Sequence, residues 1–458
     1  FKINYYFLYI HLIKMDGRLE HLQIQPSNII STNKVSFKNG NPVIQFIIGE
    51  QDKYLIGNSL RFTGNIECLE GAVTATARPP VNASKAAVDA KLGVYSVISE
   101  IAIFSQRSKQ QIEHIRHYGR FLSSYLPMLS SKQEGMGHMG KTQCSMPNQE
   151  CERLGFVNNI NGSGGAAGTQ FNGNSFCLHL PSGLLNSQEP IPLSANGWGV
   201  GGLMIEITLE NDSQVFYGTD GLALTNVFYQ LSNMNLICEV VNPSSDTLSS
   251  LSSQTQGSLE YNSISSYYTS VNSTNAIINF NLGLTKCLGA FFNIVPSADL
   301  NNTTKNGFAC LPFTNSDGSV ARLNQLIWTR GGVKFPYQFN IDTNVKTLAG
   351  SIAYNVEDPQ VIKNVISSFM PDQDVKNTQL SPITFLRADT DDIPDGGLMV
   401  GIGVPFDNIS NAGIDFSTVN LGIQMEIGLT TDHPQTIFLF VRNKNTLIFN
   451  QNGLQVIA

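Results

Sequence analysis

A chain of 458 residues has the length for two hydrophobic cores, since domains commonly run about 100 to 200 residues. Charged residues make up 14% against about 25% in an average soluble domain, the formal net charge is -7 and no lysine or arginine run occurs, so the electrostatic footprint of a nucleic-acid binder is missing. Hydrophobic residues, at 41%, recur along the whole chain and exclude a disordered one.

The stretch from Phe1 to Lys14 is apolar, yet it is shorter than the about 20 residues a spanning helix needs, and it lacks a small-residue cleavage site. It reads as upstream sequence carried in by read-through, with the natural chain starting at Met15. Residues 15–41 are polar with scattered apolar positions and are expected to form an extended arm. Strands are then predicted at Val43 to Ile48, Ser59 to Leu69 and Val94 to Phe104. A helix is expected next, opened by Ser108-Lys-Gln-Gln111 as a capping box, carrying Ile112, Ile115, Gly119, Leu122 and Leu126 on one face and stopped by Pro127.

Residues 128–175, rich in glycine, asparagine, glutamine and serine, read as a long insertion loop. Strands resume at Phe176 to Pro181, Leu203 to Leu209 and Asn233 to Val241. The serine-rich run 243–257 is the expected linker between a first unit, 42–242, and a second, 258–458. In the second unit, strands are predicted at Ser258 to Val271, Ala276 to Leu284, Gly289 to Val295 and Arg322 to Trp328. A helix follows from Pro359 to Phe369, and then come strands at Leu398 to Val404, Leu421 to Leu429, Thr436 to Val441 and Thr446 to Phe449.

The two units echo one another. Gly202 to Asp212 returns as Gly422 to Asp432, with Ile205, Ile207 and Leu209 alternating as Met425, Ile427 and Leu429 do. Three more anchors keep the same order: Phe176 to Pro181 against Leu398 to Pro405, Ile101 to Phe104 against Gln325 to Trp328, and Glu67-Cys-Leu69 against Lys286-Cys-Leu288. A period this long means duplication of a domain, not a solenoid of short repeats. About eight mostly antiparallel strands per unit is the strand count of a jelly roll, so the expected fold is all-β: two tandem eight-stranded jelly-roll β-sandwiches, a double jelly roll, with short helices in inter-strand loops.

Chemistry-bearing groups are few. Cys68, Cys144, Cys151, Cys177, Cys238, Cys287 and Cys310 form an odd set without framework spacing, which favours buried free thiols in a reducing compartment. Glycosylation triplets at Asn82, Asn211 and Asn272 would matter only in a secreted chain. His114 and His117, beside Glu113, have the spacing of two ligands on a helix but no third partner, and Cys144, Cys151 and His138 miss the spacing of a zinc knuckle. Gly162-Ser-Gly-Gly-Ala-Ala167 fits a dinucleotide-binding pattern in letters but has neither the preceding strand nor the following helix. Asp389, Asp391, Asp392 and Asp395 crowd one loop as calcium ligands do, without the bidentate glutamate of an EF-hand. Glu206 and Glu426 read as outward residues of equivalent strands. The expected assignment is no catalytic, cofactor-binding or metal residue, no cofactor and no enzymatic activity.

Two stretches carry a family resemblance. Gly93-Val-Tyr-Ser-Val-Ile-Ser-Glu-Ile-Ala-Ile-Phe104, followed by Gln110-Gln-Ile-Glu-His-Ile-Arg-His-Tyr118, is similar to a strand running into an "I-E-x-I-x-x-Y" helix. Ser182-Gly-Leu-Leu-Asn186, through Pro190-Ile-Pro-Leu193 to the strand at 202–209, resembles a late first-domain segment in which a "P-L" element precedes a strong strand. Together they resemble the double jelly-roll major capsid proteins of polinton-like viruses and virophages, in the adenovirus-like lineage. That resemblance implies a homotrimer forming a pseudo-hexagonal capsomer in an icosahedral shell. It implies capsomer–capsomer contacts, penton and minor capsid proteins as partners, no direct contact with nucleic acid and no membrane span. The implied location is the virion capsid, made and assembled inside the host cell. The competing reading is an extracellular two-domain β-sandwich that binds carbohydrate or acts as an adhesin, which the missing signal peptide and the odd cysteine count weigh against.

Overall fold

The computed structural model describes residues 15–30, 33–40, 42–71, 86–89, 91–129, 174–218, 221–273, 275–308, 320–340, 358–371, 402–406, 412–428, 434–450 and 453–458, with short pieces at 131, 133–134, 142–143, 313–314, 347–348, 351–352 and 378. The segment 1–14 and the groups at Cys144, Cys151, Cys310, His138, Gly162 to Ala167 and Asp389 to Asp395 lie outside the described residues.

Among the described residues, eight strands longer than two residues build the first unit: β1 (Met15–Ile24), β2 (Val43–Ile48), β3 (Arg61–Glu70), β4 (Ile98–Ser105), β5 (Gln111–Ile115), β6 (Asn174–His179), β7 (Leu203–Leu209) and β8 (Val227–Pro243). They pair in two antiparallel sheets, β1-β8-β3-β6 and β2-β7-β4-β5. Eight more build the second: β9 (Gln256–Val271), β10 (Asn275–Phe280), β11 (Cys287–Pro296), β12 (Val320–Arg330), β13 (Val333–Asn340), β14 (Ile402–Pro405), β15 (Leu421–Gly428) and β16 (Gln435–Asn450). Their sheets are β9-β16-β11-β14 and β10-β15-β12-β13, and β17 (Gly453–Ile457) adds to the far end of β16. Adding eight to each label of the first unit gives the second. Both are jelly rolls, with the first strand beside the eighth and the second beside the seventh.

Each roll closes its core by alternation. In β2 and β3 every second side chain is buried, and Phe46 of one sheet meets Phe62 of the other edge-on at 5.8 Å between ring centroids. Phe292 of β11 and Trp328 of β12 do the same across the second roll at 5.4 Å. All four rings are almost fully buried, each stabilising the sandwich by about 1.5–3 kcal/mol. β11 and the first nine residues of β16 do not alternate; every residue from Gln435 to Asn443 is buried. A strand covered on both faces has this pattern, and the second roll therefore has something on its outside as well.

Three expectations change. The expected arm at 15–41 supplies β1, paired with β8 from Leu19↔Val241 to Ile24↔Leu236, so the first roll begins before residue 42. An edge strand keeps polar residues on both faces, and the pattern Met-Asp-Gly-Arg-Leu-Glu-His-Leu-Gln-Ile hides it. The expected helix from Ser108 splits: Gln111–Ile115 is a strand paired with β4, His117 turns the chain at φ +54°, and only Tyr118–Leu129 is helical (α1). Pro127 lies within the last turn of α1 and does not end it; it forgoes only its own amide hydrogen bond there. The serine-rich linker holds a helix, α2 (Ser245–Ser252), whose first turn is capped by Ser244 Oγ accepting from the Thr247 amide at 3.2 Å. The other expected helix is present as α3 (Asp358–Phe369), with Val365, Ile366 and Phe369 buried. No helix among the described residues is long and apolar enough to cross a membrane.

Candidate functional site: the junction between the rolls

Two helices cover the second roll: α3 lies on β11 and β14, and α1 reaches it beside α3. Phe121 stands in the middle of α1, fully buried, with its ring centroid 6.2 Å from Phe291, 5.7 Å from Phe440 and 5.8 Å from Phe369 of α3. Phe291 and Phe440 belong to β11 and β16, the strands buried on both faces. Asn293 of β11 fixes the helix in register, donating from Nδ2 to the Arg120 carbonyl at 3.3 Å and to Ser124 Oγ at 2.8 Å. The Arg120 guanidinium lies 4.7 Å from the Phe438 ring centroid and 5.6 Å from that of Phe308, and it donates to the Gly307 carbonyl.

A second seam is electrostatic. Glu113 on β5 is 3% exposed, and its carboxylate accepts four hydrogen bonds. Two come from the first roll, the amides of Gly183 (3.1 Å) and Leu184 (3.0 Å). Two come from β9 of the second, the Ser263 hydroxyl (3.2 Å) and the Ile264 amide (2.9 Å). Burial pushes the Glu113 carboxyl above its ordinary range, while the Leu184, Ile264 and Gly183 amides pull it back. Tyr118 adds a bond from its hydroxyl to the Pro181 carbonyl at 2.9 Å, and Tyr261 of β9 donates to the Ile112 carbonyl at 3.0 Å.

These bonds give the two quoted stretches a physical reason. Glu113 and Tyr118, the acid and the tyrosine of the "I-E-x-I-x-x-Y" element, both reach the 181–184 segment, so residues separated by more than 60 positions in the chain form one knot. Both stretches stand out in the sequence, but their contact has no signature there: Glu113 stands among two histidines, and nothing in the sequence marks Phe121 or Gly183 as junction residues.

The loop after β11 closes a third seam by reaching back into the first roll. Asn306 Nδ2 donates to Asp89 Oδ2 at 3.0 Å, the Gly218 amide donates to the Thr303 carbonyl at 2.7 Å, and the Asn301 amide donates to Gln214 Oε1 at 3.1 Å. Beside the Glu113 seam lies a cleft of about 370 Å³ lined by residues that include Asn186, Glu189, Glu260 and Lys444; Lys444 Nζ and Glu260 Oε2 are 2.7 Å apart and offset each other's charge.

The chemical candidates fall elsewhere. His114 is on a strand, with Nε2 2.8 Å from Glu100 Oε2. His117 is in the turn beyond it, edge-on to Tyr268 (5.2 Å) and Phe438 (4.8 Å), and burial holds its imidazole below the usual range. The two histidines thus do not share a helix face. Among the described residues no group of three or more His, Cys, Asp or Glu is placed to hold a metal. Cys68, Cys238 and Cys287 are buried and Cys177 is half-buried; burial pushes the Cys238 and Cys287 thiols up to about 12. Glu206 points away from the core between buried Ile205 and Ile207 and accepts from Gln45 Nε2 at 2.9 Å, as an outward strand residue does. The side chain of Glu426 lies outside the described residues. Asn211 caps the one-turn helix Asp212–Val215, its side chain accepting from the Ser213 amide.

No protein-family model and no curated protein matches the sequence. Solved structures match it by shape. The cryo-EM structure of the Sputnik virophage superimposes with a TM-score of 0.55 at 11% identity, covering 97% of this chain and 89% of that one. PBCV-1 VP54, fitted into a cryo-EM reconstruction of Sputnik, gives 0.53 at 10% identity over 96% of both chains. The Faustovirus major capsid protein gives 0.53 at 8% identity, over 94% of this chain and 90% of that one. The chain shares one fold, the double jelly roll, with the Sputnik, PBCV-1 and Faustovirus structures.

Proposed function

We propose that this chain is a major capsid protein that trimerises into pseudo-hexagonal capsomers and tiles an icosahedral shell. The observation that carries the reading is the identical strand order of two rolls in one chain, matched over nearly its whole length by structures taken from viruses. Two similar but unequal rolls let three chains fill six near-equivalent places, and closed symmetry covers sheet edges that would otherwise invite aggregation. The junction supports this use: three separate seams hold the rolls as one block, which a rigid shell unit requires. The protein is then structural, without a catalytic residue or cofactor. Its partners are further copies of itself together with penton and minor capsid proteins, it has no direct contact with nucleic acid, and it resides in the virion after assembly inside the host cell.

The mass of the purified protein in solution tests this. The expected result is a stable particle of about 150 kDa, three times the 50.0 kDa chain, with a hexagonal outline in negative stain. A monomer at every concentration, or specific binding to a glycan array by such a monomer, would reject it in favour of a binding module.

A further inference from the structure

In the third seam two nitrogens converge on one oxygen. Lys91 of the first roll, 7% exposed, holds its Nζ 3.7 Å from Asp89 Oδ2, and Asn306 of the loop after β11 donates to the same atom from Nδ2 at 3.0 Å. Asp89 is itself 2% exposed, and its other oxygen, Oδ1, accepts from the Lys91 and Leu92 amides at 2.9 and 3.2 Å. The carboxylate is thereby fixed with Oδ2 turned to an amine and a carboxamide at once. At 3.7 Å the amine is beyond hydrogen-bond length, so Asp89 keeps it close without tying it up.

The carboxamide is held from its other end as well. Asn306 Oδ1 accepts from the Phe308 amide at 3.0 Å, a donor placed where negative charge gathers when Cγ is attacked. The loop around it is pinned to the first roll on both sides. Upstream, Thr303 receives the Gly218 amide on its carbonyl and the Leu224 amide on its hydroxyl; downstream, the Gly307 carbonyl receives the Arg120 guanidinium. A buried amine, a carboxamide, a carboxylate shared between them and an amide donor, each held by its neighbours, are the parts of an amide-forming reaction.

We propose that Lys91 and Asn306 join in an isopeptide bond, made by the folded chain itself, that ties the first roll covalently to the second. Asp89 takes a proton from the Lys91 ammonium, and the free amine attacks Asn306 Cγ while the Phe308 amide holds Oδ1. Asp89 passes its proton to Nδ2, the Cγ–Nδ2 bond breaks as Cγ–Nζ remains, and ammonia leaves. Nζ keeps one hydrogen, and the surplus proton of the ammonium goes to solvent. Nothing is oxidised or reduced, and no co-reactant is consumed. The freshly folded chain, with three non-covalent seams, is the reactant, and the bond accumulates as the protein ages. The inference does not rest on the trimer reading.

Tryptic peptide mapping of the full chain, followed by mass spectrometry as the purified protein ages, tests it. The expected product is a branched peptide, residues 86–107 joined through Lys91 to residues 306–322, one ammonia lighter than the two together. Asp89→Asn is expected to slow its appearance about a hundredfold or more. Lys91→Arg, which keeps the charge but cannot form this bond, is expected to abolish it. A second arm needs no substitution in the seam. A chain nicked within α2 and aged in the folded state is expected to run as one band near 50.0 kDa on a denaturing gel, and the same chain aged in denaturant as two. Two bands from the aged, folded, nicked chain overturn the proposal. So does a map in which the peptides stay separate and Asn306, followed by Gly307, has lost ammonia to its own backbone and become aspartate.

Discussion

The carbonyl oxygen of Asn262 stands 1.9 Å from the point where a Cβ on Gly183 would be. The backbones of the two rolls touch there, with Glu113 Oε1 only 2.7 Å from the same point. Gly183→Ala must therefore push the rolls apart, and the atoms in the way are backbone. A loss of about 2–3 kcal/mol in unfolding free energy is expected, read from urea titration followed by near-UV circular dichroism. An unchanged midpoint would mean that the close approach has no part in holding the rolls together.

The Glu113 carboxylate gathers four donors, and removing it strands them. Glu113→Ala leaves three amides and a hydroxyl without that acceptor, a cost of about 3 kcal/mol or more. Glu113→Gln keeps one acceptor oxygen while turning an amide group toward donors, and is expected to fall between Ala and the parent. Thermal unfolding of the three proteins gives the order. Equal losses in both variants would show that the side chain only fills space.

Burial pushes the carboxyl of Asp212 up to about 6, against the pull of the Tyr229 amide that it accepts. A raised value means that the folded chain holds the proton more tightly than the unfolded one. This contribution is therefore complete below about pH 4 and is lost as the pH rises to about 6. His179, which burial pushes down to about 4, acts oppositely in the same window, losing stability as the pH falls, so the comparison must be with a variant. Asp212→Asn should gain on the parent by about 1–2 kcal/mol between pH 4 and pH 6, a figure reduced for the partial exposure of the group. Parallel stability curves for the two proteins over that range would contradict it.

Helix α2 joins the rolls yet has no buried residue. A protease site placed within Ser245–Ser252 should be cut in the folded protein, and the two halves should still elute together, because the three seams do not pass through α2. Adding Phe121→Ala, which removes a ring packed on Phe291, Phe369 and Phe440 at a cost of about 3–5 kcal/mol, should let the nicked halves separate in mild denaturant. Separation of the nicked parent without denaturant would place the connection in the linker itself.

The fold was largely legible because a jelly roll is written as strands of period two, and the order of the echoes matched the order of equivalent strands. All four anchors fall on equivalent pairs: β7 with β15, β6 with β14, β4 with β12 and β3 with β11. Register was less legible. Leu203 ends its ladders opposite Ile48 and Ser105, and Leu421 ends its own opposite Phe280 and Arg330, so Leu203 matches Leu421 and Glu206 matches Gln424. The sequence echo, which pairs Glu206 with Glu426, is two residues out. A slide of two keeps every side chain on its own face, so alternation alone does not detect it. Glu67-Cys-Leu69 lies toward the end of β3 while Cys287 starts β11, a correct pair of strands reached through a chance match of letters.

The misplaced helix start has a similar cause. Ile112, Ile115, Gly119 and Leu122 keep helical spacing across a strand, a turn and a helix, and only the left-handed backbone at His117 separates them. The junction was not legible because it depends on partners far away in the chain: Glu113 is told from a solvated acid only by Gly183, Leu184, Ser263 and Ile264.

The burial of Phe121 against Phe291, Phe369 and Phe440 also sets an order of events during synthesis. A ribosome releases α1 well before any of those three rings has been translated. The nascent first half thus carries a helix seated on β4 on one side while Phe121 waits for its rings, and that side is covered only when the later half arrives. Expressed by itself, residues 15–242 would clump around that helix; the whole chain, once released, carries its own antidote.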